Sequence, residues 1–96
     1  MTAYVLVEID VTDPEAFEAY KVAAGPAAEA NGATYLARGG ATELLEGTDE
    51  PGRIALLRFA DADAARAWYD SPEYTAARAL RAGSATARFI LVEGLE

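Results

Sequence analysis

The sequence contains no cysteine and no histidine. The missing cysteine excludes a thiolate nucleophile and a disulfide, and without either residue there is no Cys/His zinc site. The missing histidine also excludes a histidine general base and a histidine-ligated haem. Carboxylates alone would suit Mg²⁺ or Ca²⁺, yet no D-x-D-x-D-G loop or similar ligand spacing is present. We therefore expect neither a metal site nor a cofactor.

Basic residues are scarce, with 8 Lys and Arg against 16 Asp and Glu and a net charge of −8. This balance argues against a nucleic-acid or anionic-membrane partner, since both need clustered Lys and Arg. Apolar runs are too short to span a bilayer and no signal-peptide pattern opens the sequence, so we expect a cytoplasmic protein. The length of 96 residues predicts a single domain over residues 1–96.

Alternating apolar and polar residues predict four strands, at residues 3–11, 33–47, 53–60 and 85–93. The second contains Gly39-Gly40 in its middle, which indicates a bulge or a close backbone approach. The second and third strands are expected to form a hairpin.

Helices are predicted between these strands. Asp13 can cap the first, with a Thr12–Glu15 capping box as the competing start. Gly25-Pro26 is expected to break or kink this helix before it stops at Asn31-Gly32. Asp61 caps the second helix, and Ser71 restarts the chain as a further helical piece. One face of that last piece is expected to turn inward with Tyr74, Ala77 and Leu80.

The resulting order β-α-β-β-α-β is the ferredoxin-like arrangement, an α+β fold with a four-stranded antiparallel sheet and both helices on one face. Strand parity then gives the uncovered face an apolar patch of Leu6, Leu36, Ile54, Leu56, Ile90 and Val92. Such a patch is rarely left in water. We therefore expect an identical subunit to pack on it with two-fold symmetry.

The same parity places Glu8, Arg38, Arg58 and Arg88 on the uncovered face. Arg38, beside two glycines, is the first ligand-binding candidate, because a guanidinium binds carboxylates bidentately. Its alternative role is an ion pair that orders the dimer. Arg58 and Arg88 either complete an anion pocket with Arg38 or lie at the rim paired with acids. Glu8 either transfers protons inside an apolar barrel or stays ionised beside an arginine.

Aromatic residues supply further candidates. Trp68, Tyr69 and Tyr74 either stack on an aromatic ligand or fill the core or an interface. Tyr20 faces inward and its hydroxyl needs a partner if buried, so it is a candidate hydrogen bonder at a cavity. Arg78 and Arg81 lie near a helix C-terminus and are interpreted as mainly structural.

Several motifs together resemble the domain-of-unknown-function 1330 family of the dimeric α/β-barrel superfamily. They are Tyr20, "RGG" (38–40), "LEG" (45–47), Arg53, "RF" (58–59), "WYDSPEY" (68–74), Arg81 and "VEG" (92–94). The resemblance implies a homodimer whose two sheets face each other, with a cavity near the barrel interior. It implies no catalytic residues. Similar barrels serve as cofactor-independent monooxygenases, isomerases and haem enzymes, and fold analogy does not choose among them.

Three hypotheses about function remain open. The first is a barrel that binds an aromatic or carboxylate-bearing metabolite and, if it is an enzyme, acts as a cofactor-independent isomerase or monooxygenase. The second is a non-catalytic stress or regulatory dimer. The third is an interaction module whose acidic surface meets a protein partner. A polar-lined cavity with Arg38 reaching into it would favour the first, and an interior filled by side chains with every charge paired would favour the second.

Overall fold

The structure is a computed structural model that describes residues 1–96. Its elements are β1 (Ala3–Val11), α1 (Pro14–Ala30), β2 (Thr34–Arg38), β3 (Arg53–Phe59), α2 (Ala62–Tyr69), α3 (Pro72–Ala79) and β4 (Ala85–Glu93). The strands form one antiparallel sheet in the order β2-β3-β1-β4, with the helices on one face. The predicted ferredoxin-like fold is confirmed.

The core lies between the helices and one face of the sheet. Val5, Val7 and Ile9 are buried there, as the alternation of β1 predicts. The largest fully buried side chains are Leu57, Phe59, Trp68 and Tyr74. No helix combines the length and the apolar character needed to cross a membrane.

Side-chain caps start all three helices where the sequence predicts. Asp13 accepts from the Ala16 N–H, Asp61 from the Ala64 N–H and Ser71 from the Tyr74 N–H. The predicted break at Gly25-Pro26 is wrong, because α1 runs through Pro26 without interruption. Proline removes one helical N–H, but Ala24, Ala27 and Ala28 are buried on either side of it and hold the helix on the core.

The second strand is shorter than predicted and ends at Arg38. Gly39 has a φ of 70°, a left-handed conformation that leads the chain out of the sheet into an exposed loop over residues 39–52. The irregularity in pairing lies at Leu36, between Tyr35 and Ala37, and not at the two glycines. The predicted inward position of Leu80 is also wrong: α3 ends at Ala79 and Leu80 is 47% exposed.

Candidate functional site

A cleft of about 390 Å³ opens between α2 and the edge strand β4, on the helix-covered side of the sheet. Its apolar walls include Trp68, Tyr69, Phe89 and Leu91. Arg66, Asp70 and Arg81 supply its charged groups. We call this space the α2–β4 cleft.

The break between α2 and α3 shapes one wall of the cleft. Ser71 donates its hydroxyl hydrogen to the Trp68 carbonyl at 2.7 Å and accepts from the Tyr74 N–H at 3.1 Å. This double role ends one helix and begins the next at the same residue. The turn that follows α3 then brings Arg81 back to the cleft.

Two residues that line the cleft each contain a buried hydrogen-bond donor without a partner. The indole Nε1 of Trp68 and the Nε of Arg81 are both buried and unbonded. Arg81 forms no ion pair, and its guanidinium carbon lies 5.1 Å from the ring centre of Phe89. Buried polar groups are nearly always satisfied, and each unsatisfied one destabilises a fold by about 1–3 kcal/mol. Trp68 and Arg81 therefore bring one positive charge and two unsatisfied donors to the wall of the cleft, with both donor atoms buried.

A cluster of aromatic rings lies behind these donors. The ring centres of Trp68 and Tyr74 are 4.5 Å apart, and the hydroxyl of Tyr74 is 2.9 Å from that of Tyr20. Burial is the main cause that raises the pKa of Tyr74 far above its ordinary value, and Tyr20 raises it further. The opposing effect of Arg81 is smaller. Tyr74 is therefore a neutral phenol at physiological pH.

The sequence candidates Tyr20, Trp68 and Tyr74 are brought together by the fold. Only Trp68 lines the α2–β4 cleft, whereas Tyr20 and Tyr74 belong to the aromatic core behind it. Arg81, which the sequence analysis interpreted as mainly structural, also lines the cleft. Whether Arg81 forms an ion pair depends on which acids lie near it in the folded chain. Its place in the sequence, just after a helix, does not indicate this.

Glu8 and Arg88 lie elsewhere, on the uncovered face of the sheet. They are cross-strand partners, with Arg88 Nη1 3.9 Å from Glu8 Oε2, beside a small polar pocket that includes Asp10 and Thr86. Arg58 is the cross-strand partner of Tyr4. Tyr4 and Glu8 are four positions apart on β1, which corresponds to about 13 Å along the strand. Arg58 therefore does not join the other two.

The prediction that Arg38 shares the uncovered face is wrong. Arg38 pairs with the buried Ala55, its Nη2 donates to the Lys21 carbonyl of α1 at 2.7 Å, and its guanidinium carbon lies 4.7 Å from the Tyr35 ring centre. The irregularity at Leu36 causes this, because a shift of one residue turns the following side chains to the other face. Arg38, Arg58 and Arg88 therefore occupy three separate places and form no common anion pocket.

Comparison with known proteins gives a family and a fold. The sequence model of the family described as "Domain of unknown function (DUF1330)" matches residues 2–95. Among solved structures, the chain is similar to a protein of unknown function from Rhodopseudomonas palustris, with a TM-score of 0.78, 19% identity, and coverage of 99% of this chain and 83% of that one. No curated protein matches the chain.

Two further solved structures share the fold. One is a dimeric ferredoxin-like protein of unknown function from Jannaschia sp. CCS1, with a TM-score of 0.71, 21% identity, and coverage of 98% of this chain and 100% of that one. The other is a mutant of SnoaB, a cofactor-independent oxygenase from Streptomyces nogalater, with a TM-score of 0.64, 20% identity, and coverage of 99% of this chain and 94% of that one. At these identities the likeness concerns the fold alone.

Proposed function

The chain belongs to the DUF1330 family, a family of unknown function, and from that premise we propose that it binds a small aromatic carboxylate in the α2–β4 cleft. The observation that carries the proposal is the pair of buried, unpartnered donors, Trp68 Nε1 and Arg81 Nε. Arg81 is a cation without an acid partner, although the chain has 16 acids and only 8 bases. An entering carboxylate would satisfy both donors and the charge.

The shape of the cleft supports an aromatic body for this ligand. Its volume of about 390 Å³ lies within the range of small-molecule sites, which run from about 300 to 1,000 Å³. Trp68, Tyr69 and Phe89 offer ring faces and edges on which a flat ligand can stack. A carboxylate at one end and a ring at the other therefore match the donors and the walls.

Trp68 is the only tryptophan, so its fluorescence reports on the cleft directly. We expect benzoate or 4-hydroxybenzoate to change this fluorescence in a saturable way, and neutral benzamide to bind at least about tenfold more weakly. Arg81→Gln should remove this preference for the acid. Arg78→Gln is the matched control, because Arg78 stacks on Tyr69 at 4.4 Å but does not line the cleft. Equal binding of acid and amide, or equal loss in both variants, would overturn the proposal.

We also infer that the protein is a homodimer formed through the uncovered face of its sheet. That face carries the exposed or half-buried side chains of Leu6, Leu36, Ile54, Leu56, Ile90 and Val92. Apolar patches of this kind usually mark an interface. The similar protein from Jannaschia sp. CCS1 is described as dimeric, which supports the same assembly for this chain.

Cofactor-independent oxygenation of the bound aromatic is a second candidate, supported by the shared fold with SnoaB. Such a reaction requires a substrate that itself reduces O₂. An oxygen electrode tests it: compounds that bind the cleft should consume O₂ in the presence of wild type and not of Arg81→Gln. Binding without O₂ consumption would leave the protein as a binding or regulatory dimer.

A further inference from the structure

We propose that Arg38 and Arg53 form a second anion site, which takes the phosphate or carboxylate group of a small ligand. The site lies on the helix-covered side of the sheet at its β2 edge. The α2–β4 cleft lies at the opposite edge, since the strand order is β2-β3-β1-β4. The two sites are therefore independent, and neither proposal rests on the other.

Strand pairing places the two arginines side by side on one face. Arg38 pairs with Ala55 and Arg53 pairs with Ile9, and both partners are buried on the helix-covered side. Because Arg53 precedes Ala55 by two residues, it is the diagonal cross-strand neighbour of Arg38. Such neighbours lie about 7–8 Å apart, so two arginine side chains can bind one anion between them.

Each guanidinium lies close to backbone. Arg38 Nη2 donates to the Lys21 carbonyl at 2.7 Å, which uses one of its five N–H donors. Arg53 lies flat against Gly39, where a Cβ would come within 2.5 Å of its Nη1. Gly39 also has a φ of 70°. Glycine at this position therefore permits both the turn out of β2 and the approach of Arg53.

Neither arginine has an acidic partner. The three ion pairs of the chain are Lys21–Glu18, Arg66–Asp63 and Arg88–Glu8. The loop over residues 39–52 joins the two arginines and carries four acids, Glu43, Glu46, Asp49 and Glu50, yet none of these pairs with Arg38 or Arg53. Arg53 is half-buried and makes no side-chain hydrogen bond. The two neighbouring arginines therefore have no acidic partner, although the chain is rich in acids. Such a pair of guanidinium groups is suited to bind an oxyanion from solution.

Tyr35 adds a neutral donor to the pair. The guanidinium carbon of Arg38 lies 4.7 Å from the centre of its ring, and Arg53 is close enough to act on its charge. Burial raises the pKa of Tyr35 above its ordinary value, more than the two arginines lower it. The phenol therefore keeps its proton and can donate it to a bound oxyanion.

Calorimetric titration of the full chain tests the site, with inorganic phosphate as one probe and acetate as the other. Ionic strength is held constant with NaCl, which separates specific binding from screening. We expect saturable binding of at least one probe to wild type, and the comparison of the two tells a phosphate preference from a carboxylate preference. Arg38→Gln and Arg53→Gln should each weaken binding by about tenfold, the loss expected for one charge-assisted hydrogen bond.

Arg58→Gln is the matched control, because it removes one positive charge from the opposite face of the sheet. Arg81→Gln removes the cation of the α2–β4 cleft, so anion binding that persists in this variant belongs to the site of Arg38 and Arg53. Similar affinity in all four variants would show diffuse ion binding and overturn the proposal. A wild type that binds neither probe would also overturn the proposal. This holds even if the double variant Glu43→Gln/Glu46→Gln does bind a probe, because the loop acids would then already neutralise the arginines in the wild type. If Arg38→Gln fails to fold by circular dichroism, Arg53→Gln decides the outcome.

Discussion

The hydroxyl oxygens of Tyr20 and Tyr74 lie 2.9 Å apart and join α1 to α3 inside the core. Their rings meet edge to face with centres 6.4 Å apart, and both residues are buried. Each hydroxyl is thus the hydrogen-bond partner of the other. The contact between α1 and α3 therefore depends on a matched pair of polar groups as well as on apolar packing.

Removing both hydroxyls of this pair should lower the free energy of unfolding by less than the sum of the two single losses. We expect Tyr20→Phe and Tyr74→Phe each to lower the free energy of unfolding by about 1–2 kcal/mol, and the double variant to lose less than the sum. Urea unfolding of the four proteins measures this coupling. Tyr69→Phe is the control, because the Tyr69 hydroxyl has no hydrogen-bond partner in the chain. Additive losses would show that the two hydroxyls do not depend on each other.

Ser71 should be the most sensitive of the three helix caps. Ser71→Ala removes the acceptor for the Tyr74 N–H and the donor to the Trp68 carbonyl, both in a buried setting. We expect a loss of about 2 kcal/mol in urea unfolding. The exposed cap Asp13 accepts only from the Ala16 N–H at 3.2 Å, so Asp13→Ala should cost about 0.5–1 kcal/mol. Equal losses would mean that burial of Ser71 adds nothing to its capping.

The elements that sequence reasoning predicted well are those with uninterrupted patterns. β1 alternates over nine residues, and its inward side chains, including Val5 and Val7, are buried as expected. Caps such as Asp61 and Ser71 marked helix starts because few other residues satisfy a free backbone N–H. These local signals were enough for the fold, since the order β-α-β-β-α-β leaves few ways to close one sheet.

The candidate site was less predictable, for two physical reasons. The face on which Arg38 lies depends on a single irregularity at Leu36, and parity arguments cannot locate such a slip from the sequence. The position of Arg81 in the cleft depends on the turn between α3 and β4, and its lack of an ion pair depends on how far each carboxylate lies from it. Both are properties of three-dimensional packing. The burial of the aromatic candidates was easier to predict, because large apolar rings are usually buried in the core of a small domain.

Tyr35 and Tyr74 should make the fold sensitive to alkali. In both, burial raises the pKa above the ordinary value of 10.0, so the folded state keeps protons that the unfolded state loses. Their stabilising contribution is complete below pH 10 and is lost as the pH rises above it. We expect the melting temperature to be insensitive to these two groups near pH 8 and to fall steeply above pH 10.

Absorbance of tyrosinate near 295 nm separates the residues that cause this fall. Of the five tyrosines, Tyr74 should ionise only with unfolding, and the ionisation of Tyr35 should be displaced to a pH above the ordinary value of 10.0. Tyr74→Phe should make the loss of stability above pH 10 less steep than in the wild type. A Tyr74→Phe variant with the wild-type slope would place the cause of the alkaline transition elsewhere.

The proposed dimer makes the uncovered face of the sheet sensitive to charge. Ile90 is 37% exposed in the single chain and lies on this face as the cross-strand partner of Leu6. Ile90→Glu would bury an unpaired carboxylate in each copy at the interface, in a chain whose net charge is already −8. We expect the dimer dissociation constant to rise by about a hundredfold or more, measured by sedimentation equilibrium. Val22→Glu adds the same charge on α1, where Val22 is 73% exposed, and should leave association unchanged. A monomeric wild type, or equal dissociation constants for the two variants, would place the interface on another surface or exclude the dimer.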